Sequence, residues 1–362
     1  NKILLSNDEE NFKKYIQVGE IKNLFRIKYV LTLDSDTQLP LGKARNLIET
    51  ISHPLNKPYV SPEGNLERGY TIIQPRVSTS FPSGNESFFS TIYSDPSGTD
   101  PYTKAVSDIY QDLFHEGVYH GKGIYEVKSF NEILDNRFPE NLILSHDLLE
   151  GAYVGTGFAS DIELHDSFPN TFHEFSARNQ RWVRGDWQIT QWLFSKVPSF
   201  NGLKQNTLSL INRWKIFDNL RRSFLGLSLI LLILCGAFYN ISYSFALFAG
   251  FVIILPIFFQ ITDILRIPLI NWPGVWEDLK KCLYKTIFNV SLLPYMAWIN
   301  TSAIVQALYR RTISKKNLLD WNASLYSSPL SKPSVENFIL SLITLLSITL
   351  LGILFYSIGL ST

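Results

Sequence analysis

The 362-residue sequence predicts an α/β domain over residues 1 to about 215, followed by a helical membrane region over residues 216–362. Three observations carry this. A β-branched and aromatic run, Ile27-Lys28-Tyr29-Val30-Leu31-Thr32-Leu33, passes directly into Asp34-Ser35-Asp36, the pattern of a buried strand with a polar tip. Strand-like and helix-like segments then alternate, which favours an open sheet with its ligands at the carboxyl ends of the strands. Past residue 215 charge vanishes for long stretches: Ser223 to Thr262 are 40 consecutive residues without Asp, Glu, Lys or Arg, and Asn337 to Thr362 are 26 more.

In chain order, Leu41, Ala44, Leu47, Ile48 and Ile51 recur at helical spacing, and His53-Pro54 closes that helix. Tyr70 to Val77 is the second strand, after the loop Ser61-Pro62-Glu63-Gly64. Loops rich in Ser, Pro, Gly and Asn are expected over Ser78–Ser87 and Ser94–Pro101. A bilayer core of about 30 Å needs roughly 20 apolar helical residues, so spans are expected at about 223–239, 245–262 and 337–360. Arg221 and Arg222 precede the first span, Arg266, Lys280 and Lys281 follow the second, and Arg310, Arg311, Lys315, Lys316 and Lys332 precede the third. The positive-inside rule then places the α/β domain in the cytoplasm. Residues 286–309 are uncharged but carry Asn289, Ser291, Pro294, Asn300, Thr301, Ser302 and Gln306 between basic clusters, which fits an interfacial helix better than a crossing one.

Composition narrows the function classes. With 33 Lys+Arg against 32 Asp+Glu the net charge is +1, which gives no support to a nucleic-acid binder. Cys235 and Cys282 are too few for a disulfide framework or a four-cysteine zinc site. The chain opens at Asn1 with no signal-peptide pattern and its single methionine is Met296, so it is expected to be a piece of a longer polypeptide.

Four constellations could carry chemistry. Asp34 and Asp36, at the end of a strand, can jointly hold a hard divalent cation and through it a diphosphate, although the same tripeptide also suits a solvated turn. In Ser145-His146-Asp147-Leu148-Leu149-Glu150-Gly151, Asp147 and Glu150 lie one helical turn apart, with Ser145 available as a cap. A carboxylate there can act as a general base, or simply favour the helix dipole. A metal site built on His146, Asp147 and Glu150 lacks a second histidine-rich cluster. Gly121-Lys122-Gly123 lets backbone and an ammonium approach a ligand closely, without Walker spacing. Arg178, Arg181 and Arg184 fall with Trp182 and Trp187 inside eleven residues. Arginine forks suit phosphate oxygens and a Trp face suits a sugar, while a membrane-interface belt uses the same residues. Trp192 and Trp214 are assigned to such a belt.

The order of these motifs resembles that of membrane-embedded processive glycosyltransferases with a GT-A fold, and most closely the glycosyltransferase domains of cyclic β-1,2-glucan synthases. The resemblance rests on Leu31 to Pro40, His53 to Asn56, Gln74 to Val77, Asp100-Pro101-Tyr102, Ala105 to Phe114, Gly121 to Tyr125, Ser145 to Gly151, Arg181 to Gln188, Trp214-Lys215-Ile216 and Asp218 to Arg222. It implies a Rossmann-like nucleotide-sugar transferase domain in which Asp34 and Asp36 hold UDP-glucose and Mg²⁺ or Mn²⁺. It further implies that Asp147 is the base for the acceptor hydroxyl, and that Arg181 and Trp182 match the Arg-Trp of a Gln-x-x-Arg-Trp motif that holds diphosphate and glucan acceptor. Arg178 stands where that motif has Gln, and with Arg184, Gly121, Lys122 and Gly123 it completes the expected diphosphate and acceptor set. The implied reaction is inverting, at the bacterial inner membrane with the catalytic domain cytoplasmic. An N-terminal nucleotide-binding segment and downstream phosphorylase-like and cyclising domains are expected in the parent chain. A β-glucan synthase of different linkage and an inactive membrane scaffold are the alternatives. A transporter would want ionisable residues within the spans, and they contain none.

Overall fold

The computed structural model describes residues 1, 4–5, 24, 27–94, 108–143, 147–238, 244–264 and 272–320. The chain divides into two compact units that interleave in sequence. The first takes Asn1–Asn85, Ser94–Phe168 and Ile189–Ile216, and the second takes Glu86–Tyr93, Pro169–Gln188 and Phe217–Thr362.

The first unit is mixed α/β and Rossmann-like in character. Its strands are β1 (Tyr29–Thr32), β2 (Tyr59–Val60), β3 (Leu66–Arg68), β4 (Ile72–Thr79), β5 (Gly123–Glu126), β6 (Thr156–Asp166), β7 (Lys196–Ser199) and β8 (Gly202–Gln205). The main sheet has the order β1-β5-β4-β6, and β2/β3 and β7/β8 form separate ribbons. Strand β5 is antiparallel to both β1 and β4, while β4 and β6 are parallel. Strands β1, β4 and β6 therefore share one direction and present their carboxyl ends at one edge. The expected strand at Tyr70–Val77 is realised two residues later, because the Tyr70 and Thr71 amides donate instead to the Asn56 and Gly155 carbonyls.

Both faces of the sheet are buried at β4, while β1 is only partly buried. Ile72 and Ile73 are adjacent in β4 and so point to opposite sides. Ile73 packs with Leu47, Ile51, Ile124, Ala159 and Ile162, whereas Ile72 packs with Tyr119, Phe130, Ile133 and Val154. Helix Lys43–Ser52, predicted from spacing, contributes Leu47 and Ile51 to the first cluster and ends at a His53 cap, as expected before Pro54. The loop expected over Ser78–Ser87 is more ordered than its composition suggests: Ser78 and Thr79 end β4, and Phe81–Gly84 forms a helical turn with Pro82 at its start. Trp192 corrects a further expectation. It is fully buried in this unit, edge-on to Phe138 at 6.1 Å, and not part of an interface belt.

The second unit is helical, with Phe88–Tyr93, Phe172–Gln188, Leu225–Phe238, Ser244–Ile264, Trp272–Tyr309 and the end of Leu210–Ser223. Val183 packs with Ala303 and Ile304, flanked by Trp187 and Leu308. The segment expected as an interfacial helix from residue 286 is the second half of a 38-residue helix, Trp272–Tyr309, which contains Cys282 and Pro294. The amides that gave it a polar look are used inside the unit. Asn289 Oδ1 accepts from the Tyr93 hydroxyl (2.9 Å), Asn300 Oδ1 accepts from Asn179 Nδ2 (2.7 Å), and Asn300 Nδ2 donates to the Ser223 carbonyl (3.2 Å).

Among the described residues, no helix is long and apolar enough to cross a membrane. The spans expected at 223–239 and 245–262 correspond to Leu225–Phe238, of 14 residues, and Ser244–Ile264, of 21 residues with Pro256 inside. The expected span 337–360 and the basic residues Arg266 and Lys332 lie outside the described residues.

Candidate active site

Strand pairing assembles the site. Thr32, the last residue of β1, faces Gly123, the first of β5. Asp34 leaves β1 at the edge where Lys122 enters β5, and Asp166 ends β6 on the same edge. Lys122 Nζ lies 2.7 Å from Asp34 Oδ2 and 3.1 Å from Asp166 Oδ2. Thr37 donates its hydroxyl to Asp166 Oδ1 at 2.6 Å. A two-way backbone bridge, Gln38 N–H to the His165 carbonyl (2.7 Å) and His165 N–H to the Gln38 carbonyl (3.2 Å), ties the Asp34–Asp36 turn to the end of β6.

The charges are coupled. Burial, and then the Asp166 carboxylate, raise the pKa of Asp36 above the usual range. Burial works against the charge on Lys122, but Asp166 and Asp34 outweigh it and hold that pKa above its ordinary value. Such a crowd of carboxylates favours a cation.

The Gly121-Lys122-Gly123 turn is set by contacts that exclude side chains. Gly121 has φ +80°, and a Cβ there would lie 3.0 Å from Asp147 Oδ2. A Cβ on Gly123 would come within 2.6 Å of the Ile73 carbonyl oxygen. The fully buried Gln74 fixes the preceding residue, its Oε1 accepting the His120 N–H at 3.0 Å.

Asp147 and Glu150 occupy the first turn of helix Asp147–Val154, as their spacing predicts. Burial, and secondarily Asp147, push the Glu150 carboxyl up to about 7. Tyr119 lies beside both. Its hydroxyl is 2.9 Å from Thr32 Oγ1, and its pKa is raised by burial with added effects from Asp147 and Glu150.

Asp34, Asp36, Gly121, Lys122, Gly123 and Asp147 are thus brought together in the first unit. The expected residues Arg178, Arg181, Trp182 and Arg184 lie on helix Phe172–Gln188 of the second unit. There the Arg178 guanidinium sits 4.8 Å from the Trp182 ring, which is about half exposed. Arg184 donates to the Asp320 carbonyl, and burial followed by Arg310 lowers its pKa. Ser145 and His146, Asp100 to Tyr102 and residues 105–107 lie outside the described residues.

Asp166 is not among the residues predicted from sequence, and Tyr119, at the head of the run ending in Tyr125, is given no role of its own there. Asp166 was detectable, since Ile162-Glu163-Leu164-His165-Asp166 is an alternating run ending in a carboxylate, much as β1 does. Among the described residues, no three carboxylate, His or Cys groups converge as a metal cage. Asp34 and Asp36 still suit an ion held by one or two carboxylates plus substrate phosphates.

No family model matches the chain. It is 34% identical over 314 residues to the cyclic β-(1,2)-glucan synthase NdvB of Rhizobium meliloti (strain 1021), an alignment covering 82% of this chain and 11% of that protein. The chain therefore spans about a tenth of the relative's length. By that identity over most of its residues, the chain belongs to the cyclic β-(1,2)-glucan synthase family.

Proposed function

We propose that the chain is an inverting, processive glycosyltransferase domain of GT-A type, moving glucose from UDP-glucose onto a growing β-1,2-glucan. The observation that carries this is the gathering of Asp34, Asp36, Lys122 and Asp147 around one glycine-flanked turn at the carboxyl ends of parallel strands, where nucleotide ligands bind in open α/β sheets. The similarity to a glucan synthase supports the substrate class.

In the proposed step Asp147 takes the proton of the acceptor hydroxyl, and the freed oxygen attacks the anomeric carbon in line. The bond from that carbon to the diphosphate oxygen breaks, UDP leaves with the electron pair, and the α-linkage becomes β. Asp34 and Asp36 would hold Mg²⁺ or Mn²⁺, which when bound neutralises charge on the diphosphate. The oxygen-only donor set fits such an ion. Lys122, on the turn flanked by Gly121 and Gly123, would face the leaving group. Arg178, Arg181, Trp182 and Arg184 enter as diphosphate and acceptor contacts on the family resemblance alone.

Residues 216–362 are proposed to meet the lipid bilayer of a bacterial inner membrane, with the first unit cytoplasmic. The support is the charge-free runs and their basic flanks in the sequence. A nucleotide-binding segment before the chain and phosphorylase-like and cyclising domains after it complete the proposed parent.

The test is UDP-glucose turnover by membranes carrying the full-length parent and its Asp147→Asn variant, with linkage analysis of the product. A β-1,2-linked polymer, lost in the variant, is the expected result. Another linkage would keep the chemistry and reject the product. Turnover indifferent to Asp147→Asn would remove the base, and no turnover with any donor would leave a scaffold.

A further inference from the structure

Lys122 occupies an unusual position for a residue expected to touch a substrate. Its side chain is only 13% exposed, and its ammonium bridges Asp34 Oδ2 and Asp166 Oδ2 at 2.7 and 3.1 Å. Asp166 is itself buried, with its second oxygen held by Thr37 at 2.6 Å, so it is a fixed post, whereas the Asp34 side chain is exposed. One ammonium thus pairs with two carboxylates, Asp34 and Asp166, at the place where a divalent ion and a diphosphate are expected.

We propose that Lys122 is a built-in counter-ion. In the donor-free protein it neutralises Asp34, and when the divalent cation and the nucleotide diphosphate arrive it gives up Asp34 and pairs with the diphosphate, while Asp166 holds it at the site. This rests on the assignment of Asp34 and Asp36 as the cation-binding pair. It adds that the protein's own cation competes with the metal, and that Asp166 is a positioning residue acting through Lys122. Two like charges cannot share Asp34 without strong repulsion at such distances, which is why the two occupancies exclude each other. With the diphosphate present the ammonium gains a new anion, so the competition turns into cooperation.

The experiment is Mn²⁺ binding to the purified full chain, read by the paramagnetic resonance of the free ion, with and without UDP. Lys122→Gln should bind Mn²⁺ alone roughly tenfold more tightly than wild type and Mn²⁺ with UDP more weakly. Lys122→Arg, which keeps the charge, should stay near wild type and guards against a folding artefact. Asp166→Asn should weaken binding of Mn²⁺ alone, because Lys122 then pairs with Asp34 undivided. Unchanged or weaker Mn²⁺ binding by Lys122→Gln, while Asp36→Asn abolishes binding, would overturn the counter-ion and leave the metal pair standing. Mn²⁺ binding by none of the proteins would remove the metal pair and the counter-ion together.

Discussion

The carboxylate of Asp147 rests against Gly121, so closely that a Cβ on that glycine would lie 3.0 Å from Asp147 Oδ2. The same glycine has φ +80°, a conformation costing an L-residue about 1–2 kcal/mol. Gly121→Ala should therefore both strain the turn and push the proposed base off its line of attack. The expected outcome is a protein destabilised by about 1–2 kcal/mol in urea titration, with turnover lowered about 10- to 100-fold. Turnover equal to wild type would show that the position of Asp147 does not matter to the reaction.

Glu150 gives a pH signature. Its carboxyl is pushed up to about 7 in the folded chain, by burial first and Asp147 second, from an ordinary value of 4.5. Among the described residues, Tyr119 and Tyr125 also sense its charge. Between these two values the folded state holds a proton that the unfolded state has released, so the slope of unfolding free energy with pH is negative. Glu150 thus adds nothing below about pH 4.5 and costs stability progressively up to about pH 7, by at most about 3 kcal/mol. Urea titrations at pH 5 and pH 8 should show wild type weaker at the higher pH. Glu150→Gln, which cannot ionise, should lose most of that difference; an equal difference in the variant would assign it to another group.

Trp182 is about half exposed and is crossed by the Arg178 guanidinium at 4.8 Å. An exposed cation–π pair contributes about 0.5–1 kcal/mol, so Trp182→Ala should cost no more than that in stability. If the ring is a sugar platform, the variant should instead raise the acceptor KM about fivefold or more, with kcat less affected. An unchanged acceptor KM would return Trp182 to the role of an ordinary surface residue.

What could be read from the sequence was local. Strand β1 announced itself because a β-branched and aromatic run ends in two carboxylates, and the helix over Lys43–Ser52 because its apolar spacing and its His-Pro stop agree. The partners of Asp34 were not legible, since Lys122 and Asp166 reach it only through the pairing of β1 with β5 and of β4 with β6, far apart in sequence. Trp192 was misplaced for a different reason: a tryptophan near arginines has the same composition whether it lies in a core or at an interface. The long helix from Trp272 was shortened because Glu277, Asp278, Lys280 and Lys281 interrupt the apolar pattern. Those charges are accommodated on the helix, where Lys280 pairs with Glu277 at 2.8 Å, and Pro273 sits in its first turn, where a missing N–H costs nothing.

Lys215, which the family resemblance picked out without a role, is a buried cation. It is 2% exposed, with Nζ 3.2 Å from Glu116 Oε1, 3.0 Å from the Gly117 carbonyl oxygen and 5.1 Å from the Tyr110 ring centroid. Burial lowers its pKa and Glu116 opposes that shift. Its anchor points adjoin the sheet, since Gly117 N–H donates to the Thr156 carbonyl at 2.7 Å, at the start of β6. Removing the ammonium leaves a largely buried carboxylate and a carbonyl without this donor, so Lys215→Met should destabilise the protein by about 2–3 kcal/mol. Glu116→Gln alone should cost less, because its side chain is partly exposed and water can replace the lost partner. Because the two side chains meet directly, the double variant should be less destabilised than the sum of the single ones, by about 1 kcal/mol. Urea titration of the four proteins at one pH measures this coupling. Strict additivity would mean that Lys215 acts through the Glu116 and Gly117 carbonyls, the Tyr110 ring and the buried Asp108, and that its ion pair with Glu116 contributes nothing.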